Sequence, residues 1–118
     1  MSDEESRSYE RKLKRHQVKT AIEVYDKLRG SCVGRLVNIH SSGLMLMGTV
    51  RLEADHLYQL DLHLPEMING RRVIQLGVDC LWVRESDDPD QHWAGCQIID
   101  KSDEADADIE ALVELLEA

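Results

Sequence analysis

The chain has 118 residues, 42% hydrophobic and 31% charged, a composition that supports one compact core and excludes a second domain. It contains no apolar run of about 18 residues and no apolar stretch typical of a signal peptide, so we expect a cytoplasmic protein without membrane insertion. Cys32, Cys80 and Cys96 form no CxxC pair. This spacing argues against a disulfide framework and a zinc ribbon and predicts reduced thiols.

Charge is distributed unevenly along the chain, whose net charge is −9. Residues 7–19 carry six basic side chains against Glu10 alone, whereas residues 85–118 carry twelve acidic side chains against Lys101. An acidic protein is repelled by the field of duplex nucleic acid, so duplex DNA or RNA is disfavoured as a partner. A small anion that binds at the basic segment is compatible with this distribution.

Several short segments have the composition of β-strands. Apolar and polar residues alternate in 18–25 and 58–64, and β-branched or other apolar residues are frequent in 31–39, 44–47 and 93–99. Pro65 is expected to end the strand over 58–64. Met45 and Met47 are expected to be packing residues.

The longest predicted strand follows the Asn69–Gly70 dipeptide, which is typical of a tight hairpin turn. Gly77, inside this strand, indicates a bulge or a bend. One face of the strand is formed by alternate residues, namely Ile74, Leu76, Val78, Cys80 and Trp82.

After Ser102 the hydrophobic period lengthens from two to about three and a half residues. Ile109, Leu112, Val113 and Leu116 then share one face, which predicts an amphipathic helix over 103–117 with Ser102 as its N-cap. Several short antiparallel strands before one helix are typical of a small barrel, because closure removes exposed sheet edges. The sequence therefore predicts an all-β fold whose C-terminal helix covers an open end of the barrel.

Two motifs accompany the first strands. The segment ERKLKRH places Arg11 and Arg15 in an RxxxR spacing, and NIHSSG places Asn38 and Gly43 between the second and third strands. In this order, and with CLWVR and AGCQIID near the end, the chain resembles the stand-alone PilZ domain family, whose signature is RxxxR followed by [D/N]xSxxG. The resemblance implies a six-stranded antiparallel barrel over 18–101, a flexible basic arm over 1–17 and a packed helix over 102–118.

The resemblance also implies a function. It implies a bacterial receptor that binds the second messenger cyclic di-GMP, changes conformation and signals to an effector protein. It implies no catalytic residue, no metal and no cofactor besides the ligand. The oligomeric state is left open, with a monomer favoured. The ligand-binding residues that it implies are Arg11, Arg15, Asn38, His40, Gly43 and Trp82.

The chemistry of these residues suits that ligand. The guanidinium groups of Arg11 and Arg15 match the adjacent O6 and N7 acceptors of guanine, and they can also bind phosphate. The amide oxygen of Asn38 can accept from the guanine N1–H and N2–H edge. Gly43 permits a close approach of the backbone or a positive φ. Trp82 can stack on a base, although its parity in the strand leaves core packing open.

His40 stands where the family signature has serine, so the segment departs from the family pattern at one position. An imidazole is bulkier than a hydroxyl, and its donors depend on tautomer and charge. If its imidazolium donates to a phosphate, affinity is expected to strengthen as the pH falls. The side chain could equally point into solvent.

Other functions remain open at this point. A PilZ-like module that has lost nucleotide binding would act through protein contacts alone. A small barrel that binds single-stranded nucleic acid would need basic and aromatic residues interleaved on one face, whereas most basic residues here precede the first strand. An enzyme is disfavoured, because the sequence has no GxSxG, glycine-rich phosphate loop or HExxH motif.

Overall fold

The fold is a closed antiparallel barrel followed by one helix, in a computed structural model that describes residues 21–117. The elements are β1 (Glu23–Asp26), β2 (Ser31–His40), β3 (Gly43–Gly48), β4 (His56–Ile68), β5 (Arg71–Glu85), β6 (His92–Asp100) and α1 (Asp103–Glu117). Around the barrel the strand order is β1-β2-β3-β6-β5-β4. The predicted six-stranded barrel with a C-terminal helix is confirmed, and the predicted arm over 1–17 lies outside the described residues.

Alternate strand residues fill the barrel, and α1 packs against β2, β4 and β5. The apolar face of α1 is the predicted one, with Ile109 and Leu112 buried. Ser102 caps the helix as predicted, because its Oγ accepts a hydrogen bond from the backbone N–H of Ala105 at 3.0 Å. Within the described part of the chain, no helix has the length and apolar character needed to cross a membrane.

Two strand limits differ from the predicted ones. β4 continues through Pro65 to Ile68, so the expected end at Pro65 is wrong. The β4–β5 register shifts between His63 and Ile68, which lets the strand tolerate a residue without an N–H. β1 begins at Glu23, inside the predicted segment 18–25, of which residues 18–20 lie outside the described part.

The hairpin turn predicted from Asn69–Gly70 is confirmed. Asn69 and Gly70 have φ values of +52° and +81°, the left-handed pair that a type I′ hairpin turn requires. The β5–β6 register also shifts between Gly77 and Val78, but the extra residue is Ile99 of β6, so the bulge lies opposite Gly77 and not in β5 as predicted.

A bulge in β5 overturns the predicted face of Trp82. Cys80 pairs with Cys96 on β6, but Trp82 pairs with Gly95, so Leu81 is an extra residue. An extra residue reverses the parity of the strand beyond it. Cys80 is therefore in the core, while the side chain of Trp82 lies outside the barrel with 36% of its surface exposed.

The cysteines are free thiols in two environments. Cys80 and Cys96 are buried opposite each other in the β5–β6 ladder, whereas Cys32 is exposed. Burial raises the pKa of Cys96 to about 12, so this thiol is protonated at neutral pH. The two buried thiols thus pack as small apolar groups.

Asp108 is a buried carboxylate that joins α1 to the β4–β5 hairpin. Arg71 donates to it from Nε at 2.7 Å and from Nη2 at 3.0 Å, and Asn69 donates from Nδ2 at 2.9 Å. The hydrogen bonds from Arg71 lower the pKa of Asp108 against the opposite effect of burial. The helix is therefore attached by an ionic contact as well as by its apolar face.

Asp108→Asn should lower the free energy of unfolding at pH 7 by about 2 kcal/mol, because an amide cannot replace the charge-assisted pair with Arg71. Folding lowers the pKa of Asp108, so this contribution is complete above the ordinary carboxyl pKa of about 4. It is lost as the pH falls through the lower pKa of the folded state. Urea unfolding at pH 7 and in acid measures both effects.

Glu110→Gln is the matched control for this prediction, because Glu110 is an exposed acid on the same helix. It should change stability by less than about 0.5 kcal/mol. Equal losses in the two variants, or a loss in Asp108→Asn that persists unchanged in acid, would contradict the ionic attachment of α1.

Candidate ligand-binding site

A second bulge turns Asn38 toward the outside of the barrel. In the β2–β3 ladder Leu36 pairs with Leu46 and Asn38 pairs with Met45, so Val37 is an extra residue. Leu36 is buried, and Asn38 would point inward as well if the strand alternated regularly. The bulge instead places Asn38 on the outer surface, where it is half-buried.

Asn38 and Trp82 lie in one row of paired residues across four strands. Asn38 pairs with Met45, Met45 with Gly95, and Gly95 with Trp82. With neighbouring strands about 4.8 Å apart, the backbones of Asn38 and Trp82 are separated by about 14 Å. The indole ring covers part of this distance because it lies over Gly95, where a Cβ would collide with it.

His40 and Gly43 form the next outward-facing pair, beyond Ile39 and Leu44, at the end of the β2–β3 hairpin. The imidazole lies over Gly43, since a Cβ on that glycine would be 3.3 Å from Cε1 of His40. The same Cβ would be 3.0 Å from the carbonyl oxygen of Cys96. Gly43 is a strand residue without a positive φ, so a close approach and not a left-handed backbone accounts for glycine here.

Hydrogen bonds to Ser42 orient the His40 ring. The backbone N–H of Ser42 donates to Nδ1 at 3.3 Å, and the Ser42 hydroxyl lies 3.1 Å from the same nitrogen. A backbone N–H can only donate, so Nδ1 is the acceptor and the neutral ring carries its proton on Nε2. His40 thus offers an Nε2–H donor at the hairpin.

A groove of about 450 Å³ lies beside Trp82. It is lined by Met45, Trp82, Arg84, Glu85, Ser86, Asp87, Asp88 and Trp93. The guanidinium carbon of Arg84 lies 5.1 Å from the centroid of the Trp82 ring, a cation–π distance. Sequence reasoning missed Arg84 and Trp93. Met45, predicted only to be a packing residue, lies half-buried outside the barrel, because β3 directs Leu44 and Leu46 inward.

The groove is a poor place for an anion. Its charged lining consists of Arg84 and the three carboxylates Glu85, Asp87 and Asp88. A ligand with two phosphates is repelled by this excess of negative charge. Such a ligand would need additional cations near the hairpin end of the row.

The length of chain between Ile22 and the RxxxR motif permits a contact between that motif and the hairpin end. The carbonyl oxygen of Ile22 accepts a hydrogen bond from the N–H of Leu36 at 2.8 Å, so Ile22 lies beside β2, close to Asn38. Arg15 precedes Ile22 by seven residues, which span at most about 25 Å. Arg11 and Arg15 themselves lie outside the described residues.

The sequence matches the model of a known protein family. The sequence model of the PilZ domain matches residues 5–115, a range that includes both RxxxR and NIHSSG. The chain belongs to the PilZ domain family. PilZ domains are receptor and adaptor modules of cyclic di-GMP signalling and not enzymes.

A solved structure shows the same fold. The Bacillus subtilis inhibitor of motility, MotI/DgrA, superposes with a TM-score of 0.63 at 13% sequence identity. The match covers 84% of this chain and 46% of that chain, so this chain spans about half the length of its structural neighbour. No curated protein matches the sequence.

Gly95→Ala should displace the Trp82 ring, because the new methyl group would occupy the place of the indole. We expect a loss of about 1–3 kcal/mol in the free energy of unfolding, as for other overpacked sites. The double variant Gly95→Ala/Trp82→Ala removes the overlap, so its loss should be smaller than the sum of the single losses. Urea unfolding of the three variants measures this coupling, and strictly additive losses would contradict the packing.

Proposed function

We propose that this PilZ protein binds cyclic di-GMP on the outside of its barrel, along the row from Asn38 to Trp82. The observation that carries the proposal is that two separate bulges, at Val37 and Leu81, turn these two side chains to the same row. Bulges commonly re-aim side chains beside functional sites. Family membership supports the class of ligand.

The proposed contacts follow from the chemistry of each residue. The amide oxygen of Asn38 accepts from the guanine N1–H and N2–H edge, and the partly exposed indole of Trp82 stacks on a base in place of the Arg84 guanidinium. Arg11 and Arg15 bind the O6 and N7 acceptors or the phosphates. His40 donates from Nε2 to a phosphate oxygen, while Gly43 provides the close packing that holds its ring.

The proposed output is a change in surface, read by an effector protein. When Arg11 and Arg15 bind the ligand, residues 11–15 lie against the β2–β3 hairpin and alter the surface that a partner contacts. A ligand can shift such an equilibrium only by its differential affinity for the two arrangements. In this proposal, the contacts that Arg11 and Arg15 make only with the bound ligand provide this difference in affinity.

One observation favours a second candidate function, a protein-interaction module that has lost nucleotide binding. The His40 ring covers Gly43, where the serine of the family signature would leave space for a ligand. In that case the groove beside Trp82 would bind a partner protein, and no nucleotide would be involved. The two candidates differ in whether cyclic di-GMP binds at all.

Arg11→Ala and Arg15→Ala should each weaken binding of cyclic di-GMP by about 2–3 kcal/mol, because each removes a charge-assisted bidentate contact. Trp82→Ala should weaken it by about 1–3 kcal/mol through loss of stacking. Calorimetric titration measures the affinities. Arg51→Ala, at an exposed arginine of the β3–β4 connection, is the control and should bind as the wild type does.

The same titrations separate the two candidate functions. Wild-type affinity in both arginine variants would exclude the RxxxR motif from the site. A wild-type protein that folds but gives no binding heat with cyclic di-GMP would favour the interaction module.

His40→Ser, which restores the residue of the family signature, should retain binding of cyclic di-GMP, because a serine hydroxyl can also donate to a phosphate oxygen. Calorimetric titration of this variant measures the affinity. Loss of binding in a folded His40→Ser variant would contradict the proposed contact at this position.

A further inference from the structure

Lys101 is a cationic residue beside the β2–β3 hairpin that is not among the ligand-binding residues proposed above. It lies between β6 and α1, and its Nζ donates to the carbonyl oxygen of Ser41 at 2.6 Å. The same Nζ lies 2.7 Å from Oδ1 of Asp106, in the first turn of α1. Ser41 belongs to the NIHSSG segment. Among residues 21–117, Lys101 is the cationic side chain that hydrogen-bonds to this segment.

The ammonium group of Lys101 is held in place and has one hydrogen-bond donor more than its two partners use. The loop is held next to β6, because the carbonyl oxygen of Ser42 accepts from the N–H of Ile98 at 2.9 Å. An ammonium has three donors, and Ser41 and Asp106 take two of them. The side chains of Lys101 and Asp106 are 26% and 44% exposed, so a solute can reach the pair.

We infer that Lys101 is a phosphate contact of the site and that it exchanges Asp106 for a phosphate oxygen of the ligand. This inference rests on the proposed binding of cyclic di-GMP. A phosphate and a carboxylate that share one ammonium repel each other, so pairing with the phosphate weakens the contact with Asp106. Binding of the ligand at the β2–β3 hairpin thereby changes a contact of the first turn of α1.

The inference predicts opposite effects for the two partners of the pair. Lys101→Met removes the ammonium but keeps an apolar stem, and should weaken cyclic di-GMP binding by about tenfold. Asp106→Asn removes the competing carboxylate and should tighten binding by about threefold to fivefold. A bridge that only stabilised the fold would be lost in either variant, and both would then change affinity in the same direction or not at all.

Two control variants repeat these charge changes without the exchange. Lys27 lines a pocket together with Lys101, but the hydrogen bond to Ser41 is made by Lys101, so Lys27→Met reports the general electrostatic field. Asp103 is an exposed acid in the same helical turn as Asp106. Lys27→Met and Asp103→Asn should each change affinity by less than about twofold.

The test is calorimetric titration of cyclic di-GMP into the full chain, the four single variants and the double variant Lys101→Met/Asp106→Asn. The double variant should bind like Lys101→Met, because Asp106 acts only through Lys101. Unchanged affinity in Lys101→Met, or tightening in Asp103→Asn equal to that in Asp106→Asn, would overturn the exchange while leaving the proposed function intact. A folded wild type that does not bind would overturn both.

Discussion

Two single-residue bulges place the side chains of Asn38 and Trp82 on the outside of this barrel. In a closed barrel each strand alternates between core and surface, and one extra residue reverses that alternation. At Val37 and at Leu81 the reversal moves Asn38 and Trp82 outside. Without these bulges the amide of Asn38 would need a partner inside an apolar core, where an unsatisfied polar group costs several kcal/mol. In β2 the core is preserved because the buried residues on either side of the bulge, Leu36 and Ile39, are three apart. In β5 the corresponding residues are the buried Cys80 and the half-buried Val83, which packs against the core.

The distribution of charge suggests how a ligand would lie on this surface. Carboxylates of the β5–β6 connection surround the groove beside Trp82, and Arg84 is placed over the indole ring. Phosphates are repelled from that end, whereas an aromatic base is not. At the other end of the row, the β2–β3 hairpin offers the Nε2–H of His40 and the ammonium of Lys101. In our account a base therefore stacks at Trp82 and the phosphates lie toward the hairpin.

Local patterns predicted the elements of this fold well, because alternation and helical periodicity depend on neighbouring residues. The bulges were harder to foresee, since one extra residue leaves only a weak trace. In β5 that trace is the run Cys80–Val83, four consecutive apolar residues that interrupt the alternation. The contact of Lys101 with Ser41 joins residues 60 positions apart, and no periodicity encodes it. The predicted end of the strand at Pro65 is wrong because a register shift allows a proline inside β4.

The proposal places Asn38 and Trp82 in one ligand site on the outside of the barrel. A titration with cyclic di-GMP followed by ¹H–¹⁵N NMR observes both residues directly, through the Trp82 indole N–H and the Asn38 side-chain amide. We expect these signals and the backbone amide of Gly43 to shift with one common affinity, while Val73, at the opposite end of β5, stays unchanged. Saturation with no shift of the Trp82 and Asn38 signals would exclude a shared site.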